Sequence, residues 1–473
     1  MFKLFLWSFL FLFFGLNGLK AQVQFKDADS QKVREIFDVV LANGEAYENL
    51  RTLCKDIGHR LSGSPQAEMA VRWGKELMEQ YQPDKVYLQE IEVPHWERGT
   101  KETAWMKSKS DGRKKLDILA LGGSIPTDGL LKGEVIEVHS FEDMEEKQQQ
   151  IKGKIVFFNR AFDPKLINTF EAYGACAAQR WNSAKVGGQY GAKAVVIRSL
   201  THHTDDHPHT GSMYYEEGTP KIPAAAMSTA SADRLEEALR KGKVNLEMQL
   251  NCINHGMKKS HNVIAEITGT ENPDNIMVVG GHLDSWDVGE GAHDDGAGIV
   301  HSIELLHVFR ELQIKPKNTL RIVLFMNEEN GNMGGKTYAD LTEGENHILA
   351  IESDRGGFSP RGFAVEGSEQ QVAFVQAFEK ILSPYFLHYF EAGYSGVDIR
   401  PLRDYHEGIL MLGLVPDSQR YFDYHHSEND VFESVHKREL EMGCGAMAAM
   451  LYLLDQHYES LSSFEMDEGS SKY

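Results

Sequence analysis

The chain has 473 residues, 41% of them hydrophobic, so it is long enough to bury a large core and to form more than one domain. Its formal net charge of -21 argues against nucleic acid or an anionic membrane surface as a partner, because both repel an acidic protein. Solubility is the simpler explanation of this charge.

The N-terminus has the layout of a secretory signal peptide. Lys3 precedes an apolar run from Leu4 to Phe14, and small and polar residues follow up to Ala21. The apolar run is too short to cross a membrane as a helix, and no later segment is long enough. We therefore predict a signal peptide over residues 1–21 and a mature chain that is secreted or periplasmic, without a membrane span.

The region that follows is predicted to be mainly helical. Ser64 is a suitable N-cap for a helix in which Met69, Trp73 and Leu77 repeat at a spacing of four residues. Such spacing gives the helix one buried face. We assign residues 22–115 to this region and expect it to complete a larger domain that resumes later in the chain.

The middle third of the chain has a different character. Short apolar runs of β type occur at 153–158 and 191–199, each preceded or opened by glycine, and one short helix is predicted within "SADRLEEALRKG". This pattern predicts a β-rich module over residues 116–258, inserted between two parts of the larger domain.

From about residue 260 the chain alternates between strands and helices. A helical pattern at 297–312 separates the first two of four continuous apolar runs, and such runs are typical of strands that are covered on both faces. The runs lie at 275–281, 320–326, 347–353 and 408–414. We predict an α/β fold for residues 259–473, with a mixed, mostly parallel sheet sandwiched by helices.

Polar side chains follow each of these predicted strands. They are His282 and Asp284 after the first strand, Glu328 and Glu329 after the second, Asp354 after the third and His426 after the fourth. Ligands of open α/β sheets bind beyond the carboxyl ends of the strands. Imidazoles and carboxylates from four separate strand ends are therefore expected to meet at one edge of the sheet.

The stretch "GHLDSWDVGEGAHDDGAGIV" adds a further carboxylate to this edge. Its glycine-rich loop lets the chain fold back, which brings Asp294 at the start of the next helix close to His282. Two histidines and three carboxylates form a suitable ligand set for two divalent ions that share one carboxylate, with Zn²⁺ favoured over Co²⁺ and Mn²⁺. Two such ions would leave a net charge of +1, which favours a bridging hydroxide as a nucleophile.

A histidine-rich segment, "HHTDDHPH", occupies residues 202–209. A solvated loop is the favoured interpretation, and a third metal site is the alternative. His209 is the residue of this segment most suited to reach the cleft.

The four cysteines are Cys54, Cys176, Cys252 and Cys444. They are widely spaced and form no C-x-x-C motif, so a metal or redox role is not indicated. Export permits disulfides, and four cysteines allow three full pairings, but free buried thiols fit the sequence equally well.

In chain order, the motifs H-x-D, G-A-x-D-D, E-E, S-D and H-[ST] resemble those of the di-zinc exopeptidase family. Within this family, "GHLDSWDVGEGAHDDGAG", "HPHTGSMYYEEGTPKIPAA", "ESDRG" and "HHSENDVF" are similar to the plasma glutamate carboxypeptidase branch. The resemblance covers most of the chain and includes the middle module, which resembles the protease-associated domain inserted in that family. The zinc exopeptidase fold is therefore implied for the rest.

The resemblance also implies a role for each site residue, with two zinc ions per chain. It implies His282 and Asp354 as ligands of one zinc, Glu329 and His426 as ligands of the other, Asp294 as the bridge, Glu328 as general base and Asp284 as the residue that orients His282. It further implies a cis peptide bond between Asp294 and Asp295.

The function implied by the resemblance is hydrolysis of dipeptides or short peptides with free termini by an exported homodimer. The alternative is a catalytically inactive, receptor-like binding protein on the same scaffold. The complete set of ligands together with the base argues against that alternative.

Overall fold

The computed structural model describes residues 25–462, and the predicted signal peptide lies outside them. The helices are α1 (Asp27–Asn43), α2 (Ala46–Thr52), α3 (Pro65–Gln80), α4 (Phe141–Glu146), α5 (Gln148–Ile151), α6 (Thr169–Gln189), α7 (Thr229–Lys241), α8 (Ala297–Glu311), α9 (Met333–Leu341), α10 (Glu369–Gln376), α11 (Glu379–Leu382), α12 (Tyr421–Tyr424) and α13 (Lys437–Ser462).

The strands fall into two sheets of eight. They are β1 (Lys85–Glu97), β2 (Thr103–Ser108), β3 (Gly112–Leu116), β4 (Ile118–Ala120), β5 (Leu131–Val138), β6 (Ile155–Phe158), β7 (Ala194–Arg198), β8 (Ala224–Met227), β9 (Val244–Gln249), β10 (Ile253–Ile267), β11 (Asn272–His282), β12 (Asn318–Phe325), β13 (Asn346–Glu352), β14 (Pro360–Glu366), β15 (Tyr389–Ala392) and β16 (Leu410–Pro416).

The first sheet has the strand order β1-β10-β12-β11-β13-β16-β14-β15. Its centre is parallel, because β11 pairs in parallel with both β12 and β13, and β13 pairs in parallel with β16. The long strands β1 and β10 pair antiparallel at one edge, and β10 joins β12 antiparallel. This confirms the prediction of a mixed α/β fold.

Helices cover both faces of the first sheet. Side chains of β11 alternate between the two cores: Met277 and Val279 join the large core that includes α1, α8 and α13, whereas Val278 joins a smaller core with Tyr338 of α9. Every residue of the central strand β12 is buried. A strand covered on both faces needs a continuous apolar run, which is why these segments could be identified from the sequence.

The second sheet has the strand order β3-β2-β9-β5-β6-β7-β8-β4, and all its strands lie between Thr103 and Gln249. It is also mixed, with β5, β6, β7 and β8 parallel to their neighbours in turn. We call the part of the chain from Thr103 to Gln249 the second-sheet module. The domain boundaries at residues 116 and 258 stay predictions.

The structure also bears on the cysteines and on the question of a membrane-spanning helix. All four cysteines are buried free thiols. Among residues 25–462, no helix combines the length and hydrophobicity that a membrane crossing requires.

Candidate metal centre

The carboxyl ends of the central strands deliver the predicted residues to one edge of the first sheet. His282 is the last residue of β11, Glu328 and Glu329 follow β12, and Asp354 follows β13. His426 follows the short helix α12 rather than a strand directly. All of the predicted site residues are thus brought together in a single cluster.

Asp294 lies at the centre of this cluster. Its Oδ1 atom is 3.1 Å from Nε2 of His282, and its Oδ2 atom is 3.2 Å from Nε2 of His426. Asp354 Oδ1 lies 3.4 Å from His282 Nε2, and Glu329 Oε2 lies 3.1 Å from His426 Nε2. The carboxylate of Asp294 therefore separates two groups of donor atoms and contributes one oxygen to each.

Both imidazoles present the same nitrogen to the carboxylates. Nδ1 of His282 is 3.0 Å from the main-chain oxygen of Asp284, and Nδ1 of His426 is 3.3 Å from that of Thr210. A proton on Nδ1 that is donated to a carbonyl leaves Nε2 free as a ligand atom. Both rings are therefore held in the orientation that metal binding requires.

The donor set fits divalent cations. Among the described residues, Asp294 Oδ2, Glu329 Oε1 and Asp354 Oδ1 are buried and have no hydrogen-bond partner. Buried polar atoms normally have a partner, and carboxylate oxygens without one are suited to a cation. These residues thus match a metal centre in two respects: they supply the right types of ligand atom, and several of those atoms have no other hydrogen-bond partner.

The charges of the cluster lead to the same conclusion. Burial opposes protonation of His282, but the carboxylates of Asp354 and Asp294 outweigh it and raise its pKa well above the ordinary value. Burial and the charge of Asp294 raise the pKa of Glu329 to about 7. Carboxylates are in excess over imidazoles here, so positive charge from metal ions would relieve their mutual repulsion.

Asp284 fixes the turn that carries Glu328. Its Oδ1 atom accepts hydrogen bonds from the backbone N–H groups of Asn327 and Glu328 at 2.7 and 3.0 Å. The same atom is 3.8 Å from Nδ1 of His282, whose hydrogen bond goes instead to the Asp284 main chain. The Asp284 residue thus contacts His282 through its backbone and the Glu328 turn through its side chain.

Asp295 joins the end of β11 to the start of α8. Its carboxylate accepts hydrogen bonds from the backbone N–H groups of His282 and Gly298, both at 3.0 Å. A Cβ atom on Gly298 would lie within 2.5 Å of both carboxylate oxygens, so only glycine permits this approach. The peptide bond between Asp294 and Asp295 is cis, as the family resemblance implies.

Asp430 is a site residue that the sequence analysis did not identify. Its two oxygens accept hydrogen bonds from the backbone N–H groups of His293 and Asp294, at 2.7 and 3.1 Å. Burial raises the pKa of Asp430 to about 7. Asp430 does lie within the "HHSENDVF" motif. However, its partners are backbone N–H groups, which every residue type except proline provides, so the sequence does not indicate which residues it contacts.

Arg60 is the second residue that was missed. It is fully buried and donates hydrogen bonds to the main-chain oxygens of Leu283, Glu290 and Gly291, at 2.6, 2.8 and 3.0 Å. Gly291 has a positive φ of 59°, which glycine adopts at little cost. Arg60 therefore holds both ends of the glycine-rich loop in place before the chain reaches Asp294.

Replacing Arg60 with methionine should destabilise the protein by at least about 3 kcal/mol, because three carbonyl groups, in two buried hydrogen bonds and one partly buried one, lose a charged donor. The midpoint of thermal unfolding, measured by circular dichroism, would report the loss. Arg72→Met is the matched control, since Arg72 is exposed on α3 and should tolerate the change. Equal midpoints for the two variants would contradict the clamping role of Arg60.

The second-sheet module supports the loop that carries His426. The backbone N–H of Thr210 donates to the main-chain oxygen of His426 at 2.9 Å, and Nδ1 of His209 is 2.7 Å from that of His425. Arg180 Nη1 lies 3.4 Å from His426 Nδ1. His209 thus contacts the main chain next to His426, and its approach to the cleft stays a prediction.

Comparison with known proteins identifies the family. The model of peptidase family M28 matches residues 262–451. Carboxypeptidase Q of Xenopus laevis is 35% identical over 394 residues, which cover 82% of this chain and 81% of that protein. The structure of a peptidase M28 precursor from Shewanella amazonensis SB2B, at 30% identity, superposes with a TM-score of 0.87 and covers 94% of this chain and 100% of that one.

A zinc aminopeptidase from Bacillus subtilis shares the fold, with a TM-score of 0.61 at 20% identity over 86% of this chain and 94% of that chain. The family predicted from the order of the motifs is thus confirmed at the level of sequence and of structure. The chain belongs to peptidase family M28 and is a metallopeptidase.

Proposed function

We propose that this metallopeptidase is an exported zinc exopeptidase that hydrolyses dipeptides or short peptides with free termini. The observation that supports it most directly is the position of Asp294, whose two oxygens lie within 3.2 Å of Nε2 of His282 and His426, respectively. The proposed ligands are His282 and Asp354 on one side, His426 and Glu329 on the other, and Asp294 on both.

Zinc suits a set of imidazole and carboxylate ligands, and it is the metal named for the Bacillus subtilis aminopeptidase of the same fold. When bound, zinc would polarise the scissile carbonyl and lower the pKa of a water molecule. We propose two zinc ions per chain, because His282 and His426 each lie close to Asp294 and to a different second carboxylate, Asp354 and Glu329 respectively.

The proposed general base is Glu328. It neighbours Glu329 in sequence, and Asp284 fixes the backbone of its turn. Burial, together with the charges of Asp354 and Glu329, raises the pKa of Glu328 well above its ordinary value. A carboxylate with a raised pKa accepts a proton from the attacking water readily and can deliver it to the leaving amine.

The names of the relatives support the proposed requirement for a free terminus. One is named a carboxypeptidase and another an aminopeptidase, and both names describe removal of a terminal residue. For a dipeptide, both activities cleave the same bond. A panel of free dipeptides, compared with the same dipeptides blocked at either end, would show which free terminus the site requires.

Chelation should abolish dipeptide hydrolysis, and added Zn²⁺ should restore it. We expect activity to fall with metal content during dialysis against a chelator and to return as zinc is added back. Initial rates and zinc content would be measured on the same samples. Full activity after complete removal of metal would contradict the mechanism.

The alternative, a receptor-like binding protein, predicts a different result. It would retain its fold and its metals but hydrolyse no member of the panel. The complete ligand set together with the adjacent carboxylate of Glu328 favours the enzyme.

Three further parts of the proposal have separate tests. N-terminal sequencing of the mature protein would show whether residues 1–21 are removed. Light scattering would show whether the chain is a homodimer. Expression of residues 116–258, compared with the second-sheet module at 103–249, would show whether the proposed protease-associated domain folds independently and whether it needs β2 and β3.

A further inference from the structure

A second group of ligand-type side chains lies where β1 pairs with β10, outside the centre described above. Glu97 Oε1 is 3.4 Å from Nε2 of His95, and Glu97 Oε2 is 3.3 Å from Nε2 of His255. The two imidazole rings are stacked, with their centroids 4.5 Å apart. One donor atom from each of the three residues lies within 4.8 Å of the others.

A β-bulge produces this arrangement. His95 pairs with Gly256 and Trp96 pairs with Asn254, so His255 is an extra residue without a partner on β1. His95 and Glu97 are two residues apart on a strand and therefore share a face. A bulge redirects the side chain of the extra residue, and here His255 is directed to the face of His95 and Glu97.

Glu97 and His255 are exposed, whereas the imidazole of His95 is partly buried. Its Nε2 atom is buried and makes no hydrogen bond within the described part of the chain. Its Cβ atom packs against Gly63, which has a positive φ of 83° and no room for a Cβ atom of its own. The imidazole is thus held in place by backbone contact, with an unsatisfied nitrogen facing Glu97.

Electrostatics agree with this geometry. Burial, then the neighbouring His255 and Lys258, lower the pKa of His95. A neutral imidazole at neutral pH is the form that ligates a metal ion. Lys258 is itself held by a hydrogen bond from Nζ to the main-chain oxygen of Gly63 at 2.6 Å.

We propose that His95, Glu97 and His255 form a separate binding site for a transition-metal ion, with Zn²⁺ as the expected occupant. Two imidazoles and one carboxylate match the zinc ligand set in number and type, and water would complete the coordination. An ion at this position would join β1 to β10 where the bulge interrupts their hydrogen bonds. The site does not depend on the proposed peptidase activity.

The site also lies close to the turn of Glu328. Gly63, which packs against His95, follows Ser62, and Ser62 accepts a hydrogen bond from Asn327 Nδ2 at 2.7 Å. Asn327 directly precedes Glu328. Metal binding at the bulge would therefore restrain the backbone that supports the proposed base.

The test compares zinc binding by the full-length protein, His255→Ala and a control variant. Each protein would be dialysed at a series of free Zn²⁺ concentrations, and zinc per chain would be measured by mass spectrometry. We expect one class of sites to be weakened at least about 100-fold in His255→Ala, because loss of even an outer-shell partner costs 10–100-fold. The tighter zinc ions of the main centre should remain, together with any dipeptide hydrolysis at low free zinc.

His388→Ala is the matched control. His388 is an exposed histidine with one carboxylate nearby, since its Nδ1 atom is 3.6 Å from Glu379, and no third ligand-type residue joins the pair within the described residues. This variant should bind zinc as the parent does. Glu97→Gln provides a second variant that keeps the side chain's size.

Identical zinc-binding curves for the parent, His255→Ala and Glu97→Gln would overturn the proposal. An equal loss of zinc binding in His388→Ala would also overturn the proposal, because it would show that zinc binds exposed histidines in general. Neither result would affect the proposed peptidase function, which depends on the tighter zinc ions and on dipeptide hydrolysis.

Discussion

Glu328→Gln should lower kcat for dipeptide hydrolysis by about 10²–10⁴-fold, the usual contribution of general-base catalysis. Glutamine keeps the size of the side chain and its capacity for hydrogen bonds, but it cannot take a proton from water. Zinc content and the unfolding temperature should stay unchanged, since Glu328 is not among the proposed ligands. Steady-state kinetics and metal analysis of the same preparation would measure both quantities.

Two companion variants make this result specific. Glu329→Gln should weaken one metal site as well as activity, because Glu329 Oε2 lies 3.1 Å from His426 Nε2. Glu343→Gln introduces the same change at an exposed position and should behave as the parent. If Glu328→Gln hydrolyses dipeptides at the parental rate, another group is the base.

Asp294→Ala should remove both zinc ions from the main centre and abolish hydrolysis. Each oxygen of this carboxylate lies within 3.2 Å of a different imidazole, so its loss affects both groups of donors. His282→Ala and His426→Ala should each weaken only one of the two sites. Zinc per chain, measured under conditions in which the parent is saturated, would distinguish the three variants.

Asp274→Ala is the control for this series, since Asp274 is an exposed aspartate at the opposite end of β11. It should retain the parental zinc content and activity. If Asp294→Ala kept two tightly bound zinc ions, the bridging role would be assigned to the wrong residue.

The central strands of the first sheet were predictable because burial on both faces demands continuous apolar runs. The run predicted at 275–281 corresponds to Asn272–His282, and that at 320–326 to Asn318–Phe325. The helix after Ser64 was predictable from its cap, and Ser64 does accept a hydrogen bond from the backbone N–H of Ala67 at 3.1 Å.

The long helix α6 was not predicted, and its packing explains why. Two of its glycines face close neighbours. A Cβ atom on Gly188 would lie 2.2 Å from the main-chain oxygen of Pro220, and one on Gly187 would lie 2.8 Å from the Val195 side chain. Glycine disfavours helices locally, so tertiary contacts determine this helix.

The candidate metal ligands could be located in the sequence because metal chemistry restricts residue type, and parallel strands bring their ends together. The residues that position these ligands, Arg60 and Asp430, were harder to identify because they bind backbone atoms. A backbone amide or carbonyl is present at nearly every position, so the sequence contains no sign of the partner.

The pairing of β1 with β10 has a consequence for biosynthesis. Lys85 and Glu266 are partners although they are 181 residues apart, and the whole second sheet is encoded between the two strands. At about 5–20 residues per second, β1 would be synthesised roughly 10–40 s before its partner and would have an unpaired edge in that interval.

Folding of the second-sheet module during this interval would bring Glu97 and Ile253, which flank it, to pairing distance. The entropy of closing a long loop would then already have been lost when β10 emerges. Mutations that slow the folding of this module would therefore delay assembly of the first sheet, and with it the edge at which His282 and Asp294 meet, without touching either residue.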